Sequence, residues 1–384
     1  MACARRLIAE LHETLCLPVI LVGRYATCRS EDAISMPGVL AVVRGEYERP
    51  LLRLLKHLRD AGTLDEPLPG IWHNSEDGLV RAEMDEPLAD LDALPLARRD
   101  LFDPRAADDA GEPVLFQAVR GCPRWCAHCL NDWYVEMYAG RGPWLRRRGV
   151  RSLLAEIDAV QAELGELGAI AFHDHAFADD PAWLAELADA LEPRGGPGFR
   201  CHVRLASLAP ETPRLLARAG ATDVDVEIGS ASNFIREEVL GLRTTRHQIV
   251  EGVAALRRQG LAVHAGVFVG APYDSELAID ETLDLLLSLD LDTIRPRVYY
   301  PIPGTRAAEL CQDNGWISGR AEQEHLADRS VLDMPQLPAR RISEVVRRYE
   351  SMLKSRGNTG VLGLIRRIRR LGSRPLSFRR RAKR

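Results

Sequence analysis

The sequence predicts an α/β protein whose larger part is a parallel sheet curled into a partial or open (β/α)6 barrel, preceded by a shorter Rossmann-like segment. Three observations carry this. From Val114 onward, strand-length apolar runs alternate with helical patterns through six units. A briefer alternation precedes them, and a stretch rich in Pro, Asp and Gly separates the two. At 384 residues the chain has room for about two domains of roughly 100 to 200 residues each.

The first alternation has apolar strand-like runs at 19–22 and 39–43 and a helical pattern over 50–58. Two strands and their helices cannot bury both faces of a parallel sheet, so residues 1–65 read as a shortened unit whose opening strands would lie before Met1. Residues 66–112, punctuated by Pro67, Pro69, Gly70, Asn74, Gly78 and Pro87, read as a linker. The barrel spans 113–310. Its predicted strands are 114–119, 169–173, 199–205, 223–228, 262–269 and 293–300, with helices at 150–164, 181–191, 210–219, 246–259 and 276–289 between them. Residues 311–360 read as a helical segment over the barrel mouth, and 361–384 as a basic tail.

An apolar content of 46% with 28% charged residues excludes a disordered or membrane-spanning chain. The apolar run at 15–23 is too short to cross a bilayer and precedes no cleavage site, so the cytoplasm is the expected location. Ten of the 51 Lys and Arg, and none of the 55 Asp and Glu, fall in 361–384, which leaves the remainder at −14. Val361, Leu364, Ile365, Ile368 and Leu371 recur there at helical spacing beside arginines. That pattern is either a basic amphipathic helix for an anionic membrane or RNA, or a solvated terminus.

Eight cysteines without export argue against a disulfide framework. Three of them cluster in Arg120-Gly121-Cys122-Pro123-Arg124-Trp125-Cys126-Ala127-His128-Cys129, in a loop at the carboxyl end of the first barrel strand, where parallel α/β folds keep their active sites. Three thiolates can each hold one iron of a cubane and leave the fourth iron open. The competing reading, structural zinc, needs four closed ligands, and no second Cys-x-x-Cys arm exists.

The Cys-x-x-x-Cys-x-x-Cys triad after a first strand resembles the radical S-adenosylmethionine (SAM) superfamily. That resemblance implies a 4Fe-4S cluster on Cys122, Cys126 and Cys129, SAM chelated at the open iron, and its reductive cleavage to a 5′-deoxyadenosyl radical. Asp90-Leu91-Asp92-Ala93-Leu94-Pro95, with Arg98 and Asp100, is similar to the linker of the cobalamin-binding branch. Pro18 to Gly23, Ala26-Thr27 and Arg44-Gly45-Glu46-Tyr47-Glu48 are similar to the latter half of its cobalamin domain.

Further site residues follow from the resemblance. His128 stands where an aromatic residue flanks the adenine. Asp174, in Phe172-His173-Asp174-His175, matches the acidic pair near the methionyl amine, with His175 replacing the second carboxylate; the alternative is that Asp174 caps the turn before Asp179-Asp180-Pro181. Arg204 would hold a carboxylate. The acidic face of Asp223, Asp225 and Glu227 should point into the barrel. Ser230 and Ala231 stand after Gly229 where the family carries glutamate, so Glu227 with Ser230 or Ser232 is the substitute for ribose binding, and an N-cap at Ser232 is the alternative. Gly270 would let bare backbone approach the adenine.

The reading is a cobalamin-associated radical SAM methyltransferase acting on an unactivated carbon of a small-molecule or natural-product substrate, reduced by a donor such as flavodoxin or ferredoxin. A radical rearrangement or cyclisation without methyl transfer, and a non-catalytic iron-sulfur relic, are the alternatives. Residues 1–65 read as lacking the opening strands of the cobalamin segment, so this chain is expected to bind cobalamin weakly or not at all, and an N-terminally extended one stoichiometrically; the absence of an Asp-x-His-x-x-Gly motif decides little, since the branch it resembles often binds the corrinoid without a histidine ligand.

Overall fold

The computed structural model describes residues 2–99, 113–165, 167–195, 198–318 and 329–355. The basic tail lies outside them, as does Asp100.

An amphipathic helix α1 (Ala2–Leu15) leads into β1 (Val19–Leu21), short helices α2 (Arg24–Cys28) and α3 (Ser30–Ile34), β2 (Val39–Val43) and α4 (Glu48–Ala61). A hairpin follows, β3 (Ile71–Ser75) and β4 (Gly78–Arg81). The sheet order is β1-β2-β3-β4, parallel between β1 and β2 and antiparallel thereafter. This corrects two expectations. Residues 71–81, read as linker, extend the sheet, because Ile71 and His73 turn inward against β2 even though Gly and Asp supply the turn. Both faces are also covered: Ile8, Ala33, Ile34 and Val42 pack on one side, and Ala41, Val43, Leu54 and Ile71 on the other.

The barrel sheet contains β5 (Val114–Phe116), β8 (Ile170–Phe172), β9 (Phe199–Val203), β10 (Ala221–Gly229), β11 (Ala262–Val269) and β12 (Thr293–Val298), with β6 (Val119–Arg120) and β7 (Arg146–Arg147) as a separate antiparallel pair. All six strands run parallel in the order β12-β11-β10-β9-β8-β5, so β5 and β12 are its two edges. The connecting helices are α5 (Asn131–Met137), α6 (Val150–Leu164), α7 (Pro181–Leu191), α8 (Thr212–Arg218), α9 (Arg246–Arg258) and α10 (Glu276–Ser288), followed by α11 (Arg306–Asp313) and α12 (Ala339–Ser355). Local chemistry starts several of them: Asp180 accepts from the Ala182 and Trp183 N–H groups ahead of α7, and Thr245 and Gln248 form a reciprocal capping box on α9.

Burial alternates along β9 and β11 as period-two strands require. Val224, Val226, Ile228, Val263, Ala265 and Val267 are buried beneath helices, while Arg200, His202, Asp223, Asp225, Glu227, His264 and Phe268 line the inner face. The predicted strand 114–119 breaks at Gln117. Its first half stays in the sheet and its second half leaves to pair with β7.

At the far end of β11, the Asp274 carboxylate accepts from the Gly270 N–H (2.9 Å) and the Ser275 N–H (2.9 Å). Burial nevertheless pushes its pKa up to about 7. A carboxyl with a raised folded-state pKa contributes stability that is full below about pH 4 and lost as pH rises through about 7. Asp274→Asn should therefore flatten the pH dependence of unfolding free energy between pH 5.5 and 8 by about 2 kcal/mol relative to wild type, measured by urea denaturation.

Candidate metal centre

Cys122, Cys126 and Cys129 are free, half-buried thiols on the loop after β6. Backbone contacts from distant parts of the barrel hold this loop. The Asn131 side-chain amide donates to the carbonyls of Cys122 (2.9 Å) and Arg124 (2.6 Å), and its oxygen accepts from the Trp144 indole N–H (2.7 Å). The Ala127 N–H donates to the Leu240 carbonyl (3.0 Å), and the Ala127 carbonyl accepts from the Ala307 N–H (2.9 Å). Arg306 donates to the Trp125 carbonyl (2.9 Å) and to Asp132 (3.0 Å). Gly241, at φ +68°, lies so close that a Cβ there would stand 2.9 Å from the Ala127 nitrogen and 3.0 Å from the Trp125 oxygen.

The loop of Leu240 and Gly241 is itself anchored. It follows a π-helical turn, Phe234–Val239, on which Arg236 is fully buried and donates to the carbonyls of Ser230 (2.9 Å), Ala231 (3.0 Å) and Thr244. The sequence reading named neither Asn131 nor Arg236. Asn131, two residues past Cys129, was in plain view, whereas nothing local marks Arg236 as buried.

Burial drives the Cys126 thiol up to about 12, and repulsion from the Cys129 and Cys122 sulfurs adds to it; Cys129 is raised too, chiefly by burial. Three thiolates converging without a cation are costly, and a soft metal relieves that cost. Among the described residues, no three Cys, His, Asp or Glu side chains close around a single ion. Thiolates sharing one tetrahedral zinc at about 2.3 Å would stand only about 4 Å apart. A cubane takes one thiolate on each of three irons, and three is the number of cysteines this loop supplies.

The remaining predicted residues divide. Arg204, at the end of β9, donates through Nη1 to Cys122 Sγ (3.0 Å) and pairs with Asp179. His128 meets the edge of Phe268 (5.1 Å between ring centres), and its Nδ1 lies 3.0 Å from the Leu240 carbonyl, which requires the proton on Nδ1. Burial lowers its pKa, so the ring is neutral near pH 7. Glu227 pairs with Arg297, which lies over the Phe268 ring.

Three other residues make contacts that the sequence did not show. Asp174 Oδ2 accepts from the Ala118 N–H (2.6 Å) and the Val119 N–H (3.1 Å), where the chain leaves the sheet between β5 and β6. It does not cap the following turn, a task that falls to Asp180. Ser230 is buried, with its hydroxyl 3.4 Å from that of Thr282 on α10 and accepting from the Ser232 N–H (3.2 Å). Gly270 faces α12, since a Cβ there would meet Ile342 at 2.6 Å. In each case, packing against a sequence-distant element decides the orientation.

The acidic face of β10 points into the barrel as expected, and its partners come from β9, β11 and β12: Arg200 and Arg295 pair with Asp225, and the His264 ring lies 2.7 Å from Asp223. His175, His202 and His173 form a second wall, with ring centres 4.7 Å and 5.9 Å from His202. Burial, reinforced by His175, lowers His202 to about 4.

The N-terminal sheet is clamped beside this centre. Glu46 receives Arg146 through two hydrogen bonds (2.7 and 3.0 Å), and the Glu46 N–H donates to the Tyr138 hydroxyl (2.7 Å). Tyr138 and Tyr134 both stack on Trp144. Asp92, from the segment similar to the family linker, accepts from the Gly149 N–H (2.9 Å) at the start of α6.

Comparison with known proteins follows the same outline. The Radical SAM superfamily profile matches residues 117–286. An uncharacterized methyltransferase of Pyrococcus horikoshii is 25% identical over 337 residues, covering 86% of this chain and 71% of that protein. The structure resembles the radical SAM methyltransferase TsrM of Kitasatospora setae, solved with cobalamin and a 4Fe-4S cluster, at a TM-score of 0.67 and 18% identity over 88% of this chain and 68% of that one. It also resembles the cobalamin-dependent radical enzyme OxsB, solved with aqua-cobalamin, at a TM-score of 0.62 and 18% identity over 91% of this chain. This chain spans half of OxsB, so these likenesses carry the fold. The radical SAM superfamily works with a 4Fe-4S cluster and SAM, and with the cysteine loop, the parallel barrel and the profile in agreement, this chain carries a radical SAM domain.

Proposed function

We propose that this protein is a cobalamin-associated radical SAM methyltransferase acting on an unactivated carbon of a small-molecule substrate. The observation that carries the reading is the clamp between two units: the chain leaving the carboxyl end of β2 is fastened at Glu46 by Tyr138 and Arg146, beside the loop that bears Cys122, Cys126 and Cys129. A ligand at the carboxyl ends of a Rossmann-like sheet would then sit next to the barrel mouth. The likeness to TsrM and to the Pyrococcus horikoshii methyltransferase supports this.

In this reading Cys122, Cys126 and Cys129 hold the cluster. A bound cluster would supply the electron for cleaving SAM, and a bound corrinoid would supply the methyl group. His128 and Phe268 offer a neutral aromatic wall, and the paired charges on β10 and β12 give substrate a polar lining with little net charge. A soluble one-electron donor of the flavodoxin or ferredoxin type serves as reductant. A reducing compartment such as the cytoplasm suits the open thiols, and no helix among the described residues is long and apolar enough to cross a membrane.

The test is anaerobic reconstitution with iron, sulfide and hydroxocobalamin, then reduction with methyl-labelled SAM. The expected products are 5′-deoxyadenosine and, because both faces of the N-terminal sheet are covered and leave no gap for missing strands to fill, labelled corrinoid. Formation of 5′-deoxyadenosine without label on the corrinoid would favour the rearrangement or cyclisation reading, and absence of both would favour a relic.

A further inference from the structure

Arg204 is placed to do something other than hold a carboxylate. Its guanidinium sits at the carboxyl end of β9 with a side chain only 17% exposed, and Nη1 donates to Cys122 Sγ at 3.0 Å. On its other side it pairs with Asp179, itself 13% exposed, whose second oxygen accepts from the Ser207 hydroxyl at 3.3 Å. A guanidinium stays charged at any ordinary pH, and its planar fork lets one residue grip a sulfur and a carboxylate together.

Hydrogen bonds to ligand sulfurs and nearby fixed charge are the chief means by which a protein sets the potential of an iron-sulfur cluster. One-electron reduction adds a negative charge to the cluster and its thiolates, so a cation bonded to one of those thiolates favours the reduced form. A neighbouring carboxylate disfavours it. We infer that Arg204 and Asp179 form an opposed pair of positioning residues: Arg204 raises the reduction potential of the cluster through its N–H···S bond to Cys122, and Asp179 holds it in place while partly offsetting its charge. The inference rests on the reading of the three cysteines as cluster ligands.

The experiment is an EPR-monitored redox titration of the reconstituted full chain without SAM, with dithionite as the one-electron reductant, on wild type, Arg204→Gln and Asp179→Asn. Arg204→Gln should lower the reduced-to-oxidised ratio about tenfold at a fixed potential, equivalent to about 59 mV for a one-electron couple. Asp179→Asn should shift the midpoint in the opposite direction. A purely structural role does not produce shifts of opposite sign. An unchanged midpoint in Arg204→Gln with full iron content overturns the inference. If Arg204→Gln holds no cluster, Asp179→Asn decides: a higher midpoint supports the pair, and an unchanged or lower one overturns it. A wild-type chain that takes up no iron at all refutes the cluster reading instead.

Discussion

Cys126→Ala is expected to take the iron content of the reconstituted protein from about four atoms per chain to near zero, with loss of the broad thiolate-to-iron absorption and of SAM cleavage. With one of three thiolates gone, two irons lack a protein ligand and the cubane becomes exchangeable. The fold should survive, because the bonds that fix the loop at this point run through backbone: Cys129 N–H to the Cys126 carbonyl, and Ala127 to Leu240 and Ala307. Cys122→Ala and Cys129→Ala should behave alike. Cys201→Ala, which removes a buried thiol from the outer face of β9, should leave the iron content unchanged. Full iron in Cys126→Ala, or stoichiometric zinc in the wild type, would sink the assignment.

Asp174→Ala is expected to cost roughly 2 to 5 kcal/mol of stability, because two buried backbone N–H groups lose their acceptor at once and each unsatisfied group costs about 1 to 3 kcal/mol. Ala118 and Val119 are fully or almost fully buried, so water cannot readily take the place of the carboxylate. Asp174→Asn keeps an acceptor oxygen and sheds a charge whose burial already lifts the carboxyl pKa to about 6, so it should unfold close to wild type. Urea denaturation of the two variants checks this, and equal stability of Asp174→Ala and wild type would refute it. SAM affinity in Asp174→Asn then isolates the role expected from the resemblance: a loss of binding without a loss of stability would mark the carboxylate as the ammonium partner.

The barrel strands and most helices were legible because their signals are local. The helices Val150–Leu164 and Pro181–Leu191 carry an apolar stripe at 3.6-residue spacing, the latter opened by an aspartate cap and a proline, and β11 alternates strictly. The hairpin at Ile71–Arg81 was hidden because its short strands mix His, Asn and Arg into the apolar pattern, and only pairing with β2 makes them strands. The cysteines declared themselves by spacing. The orientation of Asp174, Ser230 and Gly270 did not, since Ala118, Thr282 and Ile342 lie 56, 52 and 72 positions away. A single sequence records which residues a strand carries, but not which neighbour will claim them.

The cysteine loop takes its shape from carbonyl and amide groups at Leu240 and Ala307, more than a hundred residues downstream. During synthesis the three thiols leave the ribosome long before either partner does. The loop's bonds to Leu240 and Ala307 can form only once residue 307 has emerged, so the thiols reach their final setting late in synthesis. Until then the nascent chain displays three unfastened thiols. The interval for which they stay open to stray oxidants or the wrong metal is set by how fast the second half of the barrel is made.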